Sequence, residues 1–499
     1  MPYKSREKSK IIPNKPTEDQ PQEKSKKTPQ LLRGMKDILP EDQHYWDFIS
    51  RRVDATAKTF GFGRIVTPVL EETSLFVRSV GKETDIIEKE MYTLDDKHGS
   101  SISLRPEGTA GVVRAYIEHG MLNRPQPVKM FYYGPFFRHD RPQAGRYRQF
   151  HQFGFEIIGD KHPVLDAQML MMTYVFYQEI GLPISLQVNS VGHPECREDY
   201  KKVLVDYYKK RKNSLCEDCK NRLQKNPLRL LDCKESDCQV LMQDAPQTVD
   251  YLCEECNEHF VSVLEHLDGL EVPYVLNPRL VRGLDYYSNT AFEIWPEVYN
   301  PVEEDKDEDE ENKEDKDGEN ANEETEKNIE PVKPSSQSAL GGGGRYDYLV
   351  EELGGQPAPA IGFAGGIERL INEIKMRHID IGQPTPADIF VAQLGDEPRK
   401  KILKLFSELR KSGFQIAESF SKNGLKPQME MANKLGVKFT IILGQKELID
   451  GTLLIRDMES GLQETVDYDT IKDELKKRLA NHGVRKNSRS TNRSSDNLS

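Results

Sequence analysis

Phe136 to Glu156, FFRHDRPQAGRYRQFHQFGFE, decides how the rest of the chain reads. Arg138, Arg141, Arg146 and Arg148 stand between two aromatic-rich flanks that both read as strands. The centre, Arg141-Pro142-Gln143-Ala144-Gly145, carries turn chemistry, so the stretch predicts a β-hairpin with a long basic loop. Successive side chains of a strand point to opposite faces. Counted from Arg148, one face of the second strand holds Arg148, Phe150, Gln152, Gly154 and Glu156; the other holds Gln149, His151, Phe153, Phe155 and Ile157. A cation, an aromatic plate, an amide, a gap and a carboxylate can hold a nucleotide beside a small polar ligand. A core face would not carry that set. The simpler alternative is a solvated hairpin with a charged face.

Outward from the hairpin, residues 1–30 are Lys, Pro, Gln and Glu without periodicity and read as a disordered basic arm. Pro40-Glu41 opens a helix whose stripe is Trp46, Ile49, Val53, Ala57 and Phe60, and Arg64 to Leu70 reads as a strand closed by Pro68. That helix and strand could form a subunit interface or bury the stripe within one chain. Ser101 to Arg105 is a short strand, Thr109 is a candidate cap for a helix from Ala110, and Glu107 sits on the turn between them. A helix follows over 163–180. Val281 to Tyr287 leads into a strand at Thr290–Ile294, with Tyr286 and Tyr287 expected on opposite faces. Gly341 to Gly344 is a weak phosphate-loop signal, since no Lys-Ser/Thr follows. The pair Gly365-Gly366 at a strand–helix junction beside Arg369 is a better one. Beyond a linker at Thr385-Pro386, strands and helices alternate: strand 387–394, helix 397–412, strand 414–420, helix 426–435, then strands 438–443 and 452–456. That pattern is an independent α/β domain.

Composition excludes some classes. The 499 residues are only 36% hydrophobic and 30% charged, but the deficit is local. Residues 303–330 hold sixteen acidic residues against four lysines, a net of −12 that equals the net charge of the whole chain. The remainder is balanced, so the acidic average does not argue against an anionic partner. The acidic stretch, taken as 303–335, is expected to be a disordered insert. No apolar run approaches a membrane span, and the N-terminus has no apolar leader. With seven cysteines and no export signal, a reducing cytoplasm is the expected location.

GMKDILP (34–40), LRPEGT (104–109), FRHDRPQAGRYRQFHQFGFEIIG (137–159), LVRGLDYY (280–287), GGGGRYDYLVEELGG (341–355) and IGFAGGIERL (361–370) together resemble the class II histidyl-tRNA synthetases. The resemblance covers about 30–475, in family order. It implies an α+β catalytic domain built on a six-stranded antiparallel sheet flanked by helices, over 31–195 and 271–378. It also implies a small insertion domain over 196–270 and an anticodon-binding α/β domain over 384–478, with 483–499 left as a disordered tail.

The resemblance further implies ATP-dependent activation of L-histidine, with Mg²⁺, and transfer to tRNA(His) by a homodimer. Activation needs charge and positioning rather than an enzyme nucleophile, and arginine suits both needs. Arg138 and Arg282 would be catalytic on the α-phosphate. Arg146 and Arg369 would bind the triphosphate, and Phe150 would stack on adenine. Glu107, Gly108, Thr109 and Gln152 would hold the α-amino end. Glu156 paired with Tyr287, beside Tyr286, would read the imidazole as donor and acceptor, and Gly154 would leave room for the substrate. Arg141 and Gln143 would contact the tRNA acceptor end. The second reading is a catalytically inactive paralogue acting as a regulatory subunit of histidine biosynthesis.

Within the insertion, Cys216-x2-Cys219 and Cys253-x2-Cys256 flank Cys233-x4-Cys238. Two such knuckles in a reduced protein are a signal for one structural zinc on Cys216, Cys219, Cys253 and Cys256, with two of these six left over; the alternative is ordinary reduced thiols.

Overall fold

The computed structural model describes residues 28–81, 84–140, 145–298, 339–382 and 387–491. The acidic insert and the Thr385-Pro386 linker lie outside the described residues. Two compact units divide the chain, 1–381 and 382–499.

Sixteen strands occur among the described residues, and the first unit holds eleven of them. They are β1 (Gly63–Arg64), β2 (Leu70–Glu72), β3 (Thr93–Asp95), β4 (Ser101–Leu104), β5 (Val128–Phe137) and β6 (Gln149–Ile158). β7 (Ile184–Ser190), β8 (Val275–Leu276), β9 (Ser288–Pro296), β10 (Gly341–Arg345) and β11 (Ala360–Gly366) complete the set. Its helices are α1 (Gln43–Thr59), α2 (Thr73–Val80), α3 (Thr109–Glu118), α4 (Pro163–Ile180) and α5 (Pro194–Lys209). Then follow α6 (Glu217–Lys225), α7 (Ser236–Gln243), α8 (Glu254–Gly269), α9 (Leu349–Glu352) and α10 (Ile367–Met376).

The large sheet runs β1-β5-β6-β11-β10-β9-β7-β8. Its middle six strands are antiparallel throughout, and the two outer strands β1 and β8 add on parallel to their neighbours. The six expected strands are therefore the centre of an eight-stranded sheet. The hairpin is β5–β6, with Phe136 opposite Phe150 and Met130 opposite Glu156. Of the second strand's outer parity, Phe153, Phe155 and Ile157 enter the main core with Ile49 and Val53 of α1 and Phe176 of α4. Burial of that face is what fixes the register, since a one-residue slip would put Phe150 and Gln152 inside.

Three local expectations change. Arg64 to Leu70 is not one strand: Gly63–Arg64 joins β5, and Leu70–Glu72 joins the separate sheet β2-β4-β3. Pro68 lies in the crossing between the sheets, where its missing N–H breaks no ladder. Thr109 does not cap α3. The Glu107 carboxylate does, accepting from the N–H groups of Thr109 (2.7 Å) and Ala110 (2.8 Å). Gly341 to Gly344 form no loop; they are β10, paired on both sides by β9 and β11. A Cβ on Gly343 would lie 2.0 Å from the Gly362 carbonyl oxygen, so this strand excludes side chains.

Residues 194–269 form a helical excursion between β7 and β8, with a small core of its own built on Tyr200, Leu204, Tyr208, Leu230 and Met242. The second unit holds a sheet ordered β13-β12-β14-β15-β16: β12 (Ile389–Gln393), β13 (Ile416–Glu418), β14 (Phe439–Leu443), β15 (Thr452–Asp457) and β16 (Gln463–Asp467). Its helices are α11 (Asp396–Lys411), α12 (Leu425–Leu435), α13 (Gln445–Asp450) and α14 (Ile471–Thr491). The parallel part, β13-β12-β14, matches the alternation in the sequence, while β16 and α13 were not foreseen. The backbone of 483–491, expected to be disordered, continues α14, because no proline interrupts its hydrogen-bond ladder; 492–499 lie outside the described residues. No described helix is long and apolar enough to cross a membrane.

Candidate active site

A cavity of about 390 Å³ is lined by residues of β6, β10, β11, the 282–287 segment and the turn before α3. That volume is in the range of small-molecule sites. Into it the fold brings Arg138, Arg146, Phe150 and Gln152 from the hairpin, Arg282, Tyr286 and Tyr287, Arg369 from α10, and Glu107, Gly108 and Thr109. Four segments distant in sequence therefore meet at one site. Arg141 and Gln143 lie outside the described residues.

The arginines are held differently. Arg138 donates from Nε to the Pro106 carbonyl (2.9 Å), with its guanidinium 5.4 Å from the centre of the Phe150 ring. Arg369 donates to the Ala339 carbonyl. Burial pulls the Arg369 pKa down, and the charges of Arg146 and Arg138 pull it further. Burial likewise lowers Arg138. Burial alone would also lower Arg282, but Tyr287 and Glu293 outweigh it and raise its pKa. Arg282 donates to the Glu293 carboxylate and lies 5.4 Å from the centre of the Tyr287 ring. Its path crosses β10, where a Cβ on Gly342 would stand 2.5 Å from Nη1. Glycine at 342 is what lets this cation lie on the sheet. Arg146 pairs with Asp140 at 3.1 Å. A site that gathers cations under partial burial favours an anionic occupant.

Glu156 is 1% exposed and is not part of the cavity wall. Its carboxylate accepts from Tyr346 Oη (2.6 Å) and Thr109 Oγ1 (2.8 Å), both residues of the wall. The phenol paired with Glu156 is therefore Tyr346 rather than Tyr287, which is held by Arg282. Burial pushes Glu156 up to about 8, against the opposing pull of the Tyr346 and Thr109 hydrogen bonds. Burial also raises Glu107, whose cap on α3 opposes the shift.

Gly154 does not open space for a ligand. A Cβ there would meet Tyr132 Oη at 2.3 Å, and one on Gly108 would meet the same ring at 2.4 Å. Both glycines make room for the Tyr132 phenol, which lines the cavity. Tyr286 and Tyr287 are not on opposite faces; their rings lie 4.8 Å apart, because 281–287 is a turn rather than a strand. Arg148 leaves the face as well, donating to the Arg33 carbonyl. Sequence reasoning missed Tyr132, Tyr346, Glu293 and Arg229 as wall residues. Tyr346 stood within a quoted motif, but nothing local ties it to Glu156.

The four cysteines expected to share one zinc do not converge. Cys216 and Cys219 gather with Cys233 and Cys238, whereas Cys253 and Cys256 gather with His193 and Cys196. The shared x2 spacing of the two knuckles misled; the pair nearer in sequence, Cys233 and Cys238, is the one that meets Cys216 and Cys219.

Comparison with known proteins gives the family. A family model described as histidyl-tRNA synthetase matches residues 34–302, and one described as anticodon binding domain matches 388–478. A histidine–tRNA ligase of Dehalococcoides mccartyi is 44% identical over 451 residues, 90% of this chain and 100% of its own length. One of Natranaerobius thermophilus is 40% identical over 89% of this chain and 98% of its own. The apo crystal structure of the Staphylococcus aureus histidyl-tRNA synthetase superposes with a TM-score of 0.69 at 36% identity, covering 90% of this chain and 99% of that one.

Proposed function

The chain belongs to the histidyl-tRNA synthetase family, and on that premise we propose how its cavity performs the reaction. The protein is a histidine–tRNA ligase, which joins L-histidine to ATP as histidyl-adenylate and then transfers histidine to the 3′ end of tRNA(His). The observation that carries the assignment of roles is the convergence of Arg138, Arg282 and Arg369 on one cavity with Glu107, Thr109 and Gln152.

In the first step the histidine carboxylate attacks the α-phosphorus in line, and pyrophosphate leaves. Two anions must approach each other, so the barrier is chiefly electrostatic and geometric. Arg138 and Arg282 bear on the α-phosphate. Both are the catalytic cations, since both guanidinium groups line the cavity and arginine stays charged at neutral pH. Arg369 and Arg146 hold the distal phosphates, and Phe150 stacks on adenine. Glu107, Thr109 and Gln152 take the α-amino group, with the Gly108 backbone at the same turn. Tyr286 and Tyr287 flank the imidazole. Glu156 acts through Tyr346 and Thr109: it accepts from both hydroxyls and leaves both oxygens as acceptors, Tyr346 for the ring N–H and Thr109 for the α-ammonium. An amino acid without that ring N–H would leave a buried acceptor unpaired.

Mg²⁺ supplies charge neutralisation on the phosphates when bound with ATP. Among the described residues the wall carboxylates Glu293 and Glu90 fit that role, standing beside Arg282 and Arg138 respectively. The second unit, matched by the anticodon-binding model, would read the far end of tRNA(His). A homodimer in the cytoplasm is the assembly and location expected for the family.

Retention of Arg138, Arg282 and Arg369 supports a working enzyme over the inactive paralogue. Arg282→Ala should lower histidine-dependent ATP–pyrophosphate exchange at least a thousandfold while leaving much of the histidine affinity in place. Unimpaired exchange would remove Arg282 from the reaction, and no exchange by the folded wild type would defeat the assignment.

A further inference from the structure

The seven cysteines are all free thiols, and together with His193 they resolve into two separate tetrads. Cys196 completes the second tetrad, so every cysteine in the chain is used. In each tetrad the four donor atoms lie within 4.8 Å of one another. A zinc with Zn–S bonds of ~2.3 Å and Zn–N of ~2.0–2.1 Å sets tetrahedral edges of about 3.8 Å between sulfurs and about 3.6 Å between sulfur and nitrogen. Cys216 Sγ and Cys233 Sγ are 3.8 Å apart, and Cys253 Sγ and His193 Nε2 are 3.5 Å apart. Those distances are far beyond a disulfide and close to the edges of a metal tetrahedron.

The backbone around the thiols is arranged for thiolates. Cys216 N–H donates to Cys238 Sγ (3.3 Å), Cys219 N–H to Cys216 Sγ (3.4 Å) and Cys253 N–H to Cys196 Sγ (3.1 Å). Each such bond stabilises negative charge on sulfur. His193 turns Nε2 toward the sulfurs, while Nδ1 faces the Cys196 N–H (3.1 Å) and the Glu195 carboxylate (3.4 Å). Nδ1 accepts from the Cys196 N–H and caps α5, which fixes the ring with Nε2 aimed at the sulfurs.

The geometry points to two structural zinc ions: one on Cys216, Cys219, Cys233 and Cys238, the other on His193, Cys196, Cys253 and Cys256. Their positions explain why a small helical excursion holds its shape. The second set joins the start of α5 to the start of α8, closing the excursion where it leaves and re-enters the core. The first set staples its tip, where α6 and α7 have only nine and eight residues and would be marginal alone. Three of its sulfurs, of Cys219, Cys233 and Cys238, lie in the same small apolar core as Leu230. Arg229, between Cys219 and Cys233, lines the active-site cavity and stands 3.0 Å from where a Cβ of Gly283 would be. The tip zinc therefore fixes the one stretch of the excursion that reaches the catalytic wall.

The test is elemental analysis of the full-length protein, made in zinc-supplemented medium and freed of loose metal by desalting. Two zinc ions per chain are expected; none or one would overturn the assignment. The double variant Cys233→Ser/Cys238→Ser should keep one ion, and Cys253→Ser/Cys256→Ser should keep the other. Should either variant fail to fold, the wild type itself answers. With Co²⁺ in place of zinc, its visible spectrum should contain both a four-sulfur and a three-sulfur, one-nitrogen tetrahedral centre. Thiols that react with Ellman's reagent equally fast before and after a chelator would overturn the proposal.

Discussion

Two groups of buried arginines in the first unit are built on opposite principles. Arg345, at the end of β10, is fully buried and meets the carboxylates of Asp166 and Asp347 and the carbonyl of Asp160 (2.9 Å). Asp166 in turn accepts from Thr290 Oγ1 (2.6 Å) and bonds His259 Nε2 (2.9 Å). Burial would raise Asp166, but Arg345 and His259 outweigh it and hold its carboxyl below the usual range. This network links α4, α8, β9 and β10, and sets its one guanidinium against two carboxylates. On the cavity side, Arg138 and Arg369 donate to backbone carbonyls, and burial lowers both their pKa values. One group spends its charge inside the protein; the other keeps it for an occupant. The partner atoms tell Arg345 from Arg138 and Arg369, while Arg282, on the cavity wall yet paired with Glu293, stands between the two groups.

The sharpest way to break this contrast is Arg345→Met. It strands the Asp166 and Asp347 carboxylates without their cation, so stability should fall by about 3–5 kcal/mol. A urea midpoint unchanged from wild type would show the network to be dispensable.

Next in size is a pH effect at Glu156, whose folded-state pKa of about 8 lies above the ordinary glutamate value of 4.5. Below the ordinary value both states hold the proton, and burial of this group costs little. Between the two values only the unfolded chain releases it, so its contribution is lost as pH rises from about 4.5 to about 8 and then levels. Glu156→Gln should remove that slope. The wild-type-minus-variant stability should change by on the order of 3 kcal/mol between pH 5 and pH 8. A constant difference across that window would mean the carboxyl is already ionised in the folded protein.

The smallest stability change belongs to Arg369→Ala, within about 1 kcal/mol of wild type in either direction, because no carboxylate is left behind. Its KM for ATP should nonetheless rise roughly tenfold, one lost charge-assisted contact. If Arg369→Ala destabilises as much as Arg345→Met, the distinction between the two groups collapses.

Much of this was legible in the sequence where the signal is local. The hairpin announces itself through alternation and turn residues, α1 through its apolar stripe, and the terminal unit through strand–helix alternation. Phe150 and Gln152 share the cavity as the parity along their one strand foretold. Glu156, on the same parity, reaches the wall only through Thr109 and Tyr346, the latter 190 residues away in sequence. No spacing rule encodes a contact made across a sheet. The cysteine pairing failed for the same reason, since CxxC marks a knuckle but not which second knuckle it meets. Gly154 misled differently: a missing side chain announces a space without saying what fills it, and here Tyr132 does.

The antiparallel partnership of β9 and β10 has a practical side. Ile294 stands opposite Gly341, and the Leu340 N–H bonds the Ile294 carbonyl at 2.8 Å, so the chain leaves the sheet and rejoins it at nearly one point. Neighbouring strands are only about 5 Å apart, and closing a flexible link costs roughly 0.6 kcal/mol more for each doubling of its length. The sheet is thus indifferent to how much sequence is spliced between these two strands. That junction is a natural docking port for the protein engineer: a reporter domain or affinity handle inserted there would ride on the enzyme without touching its register.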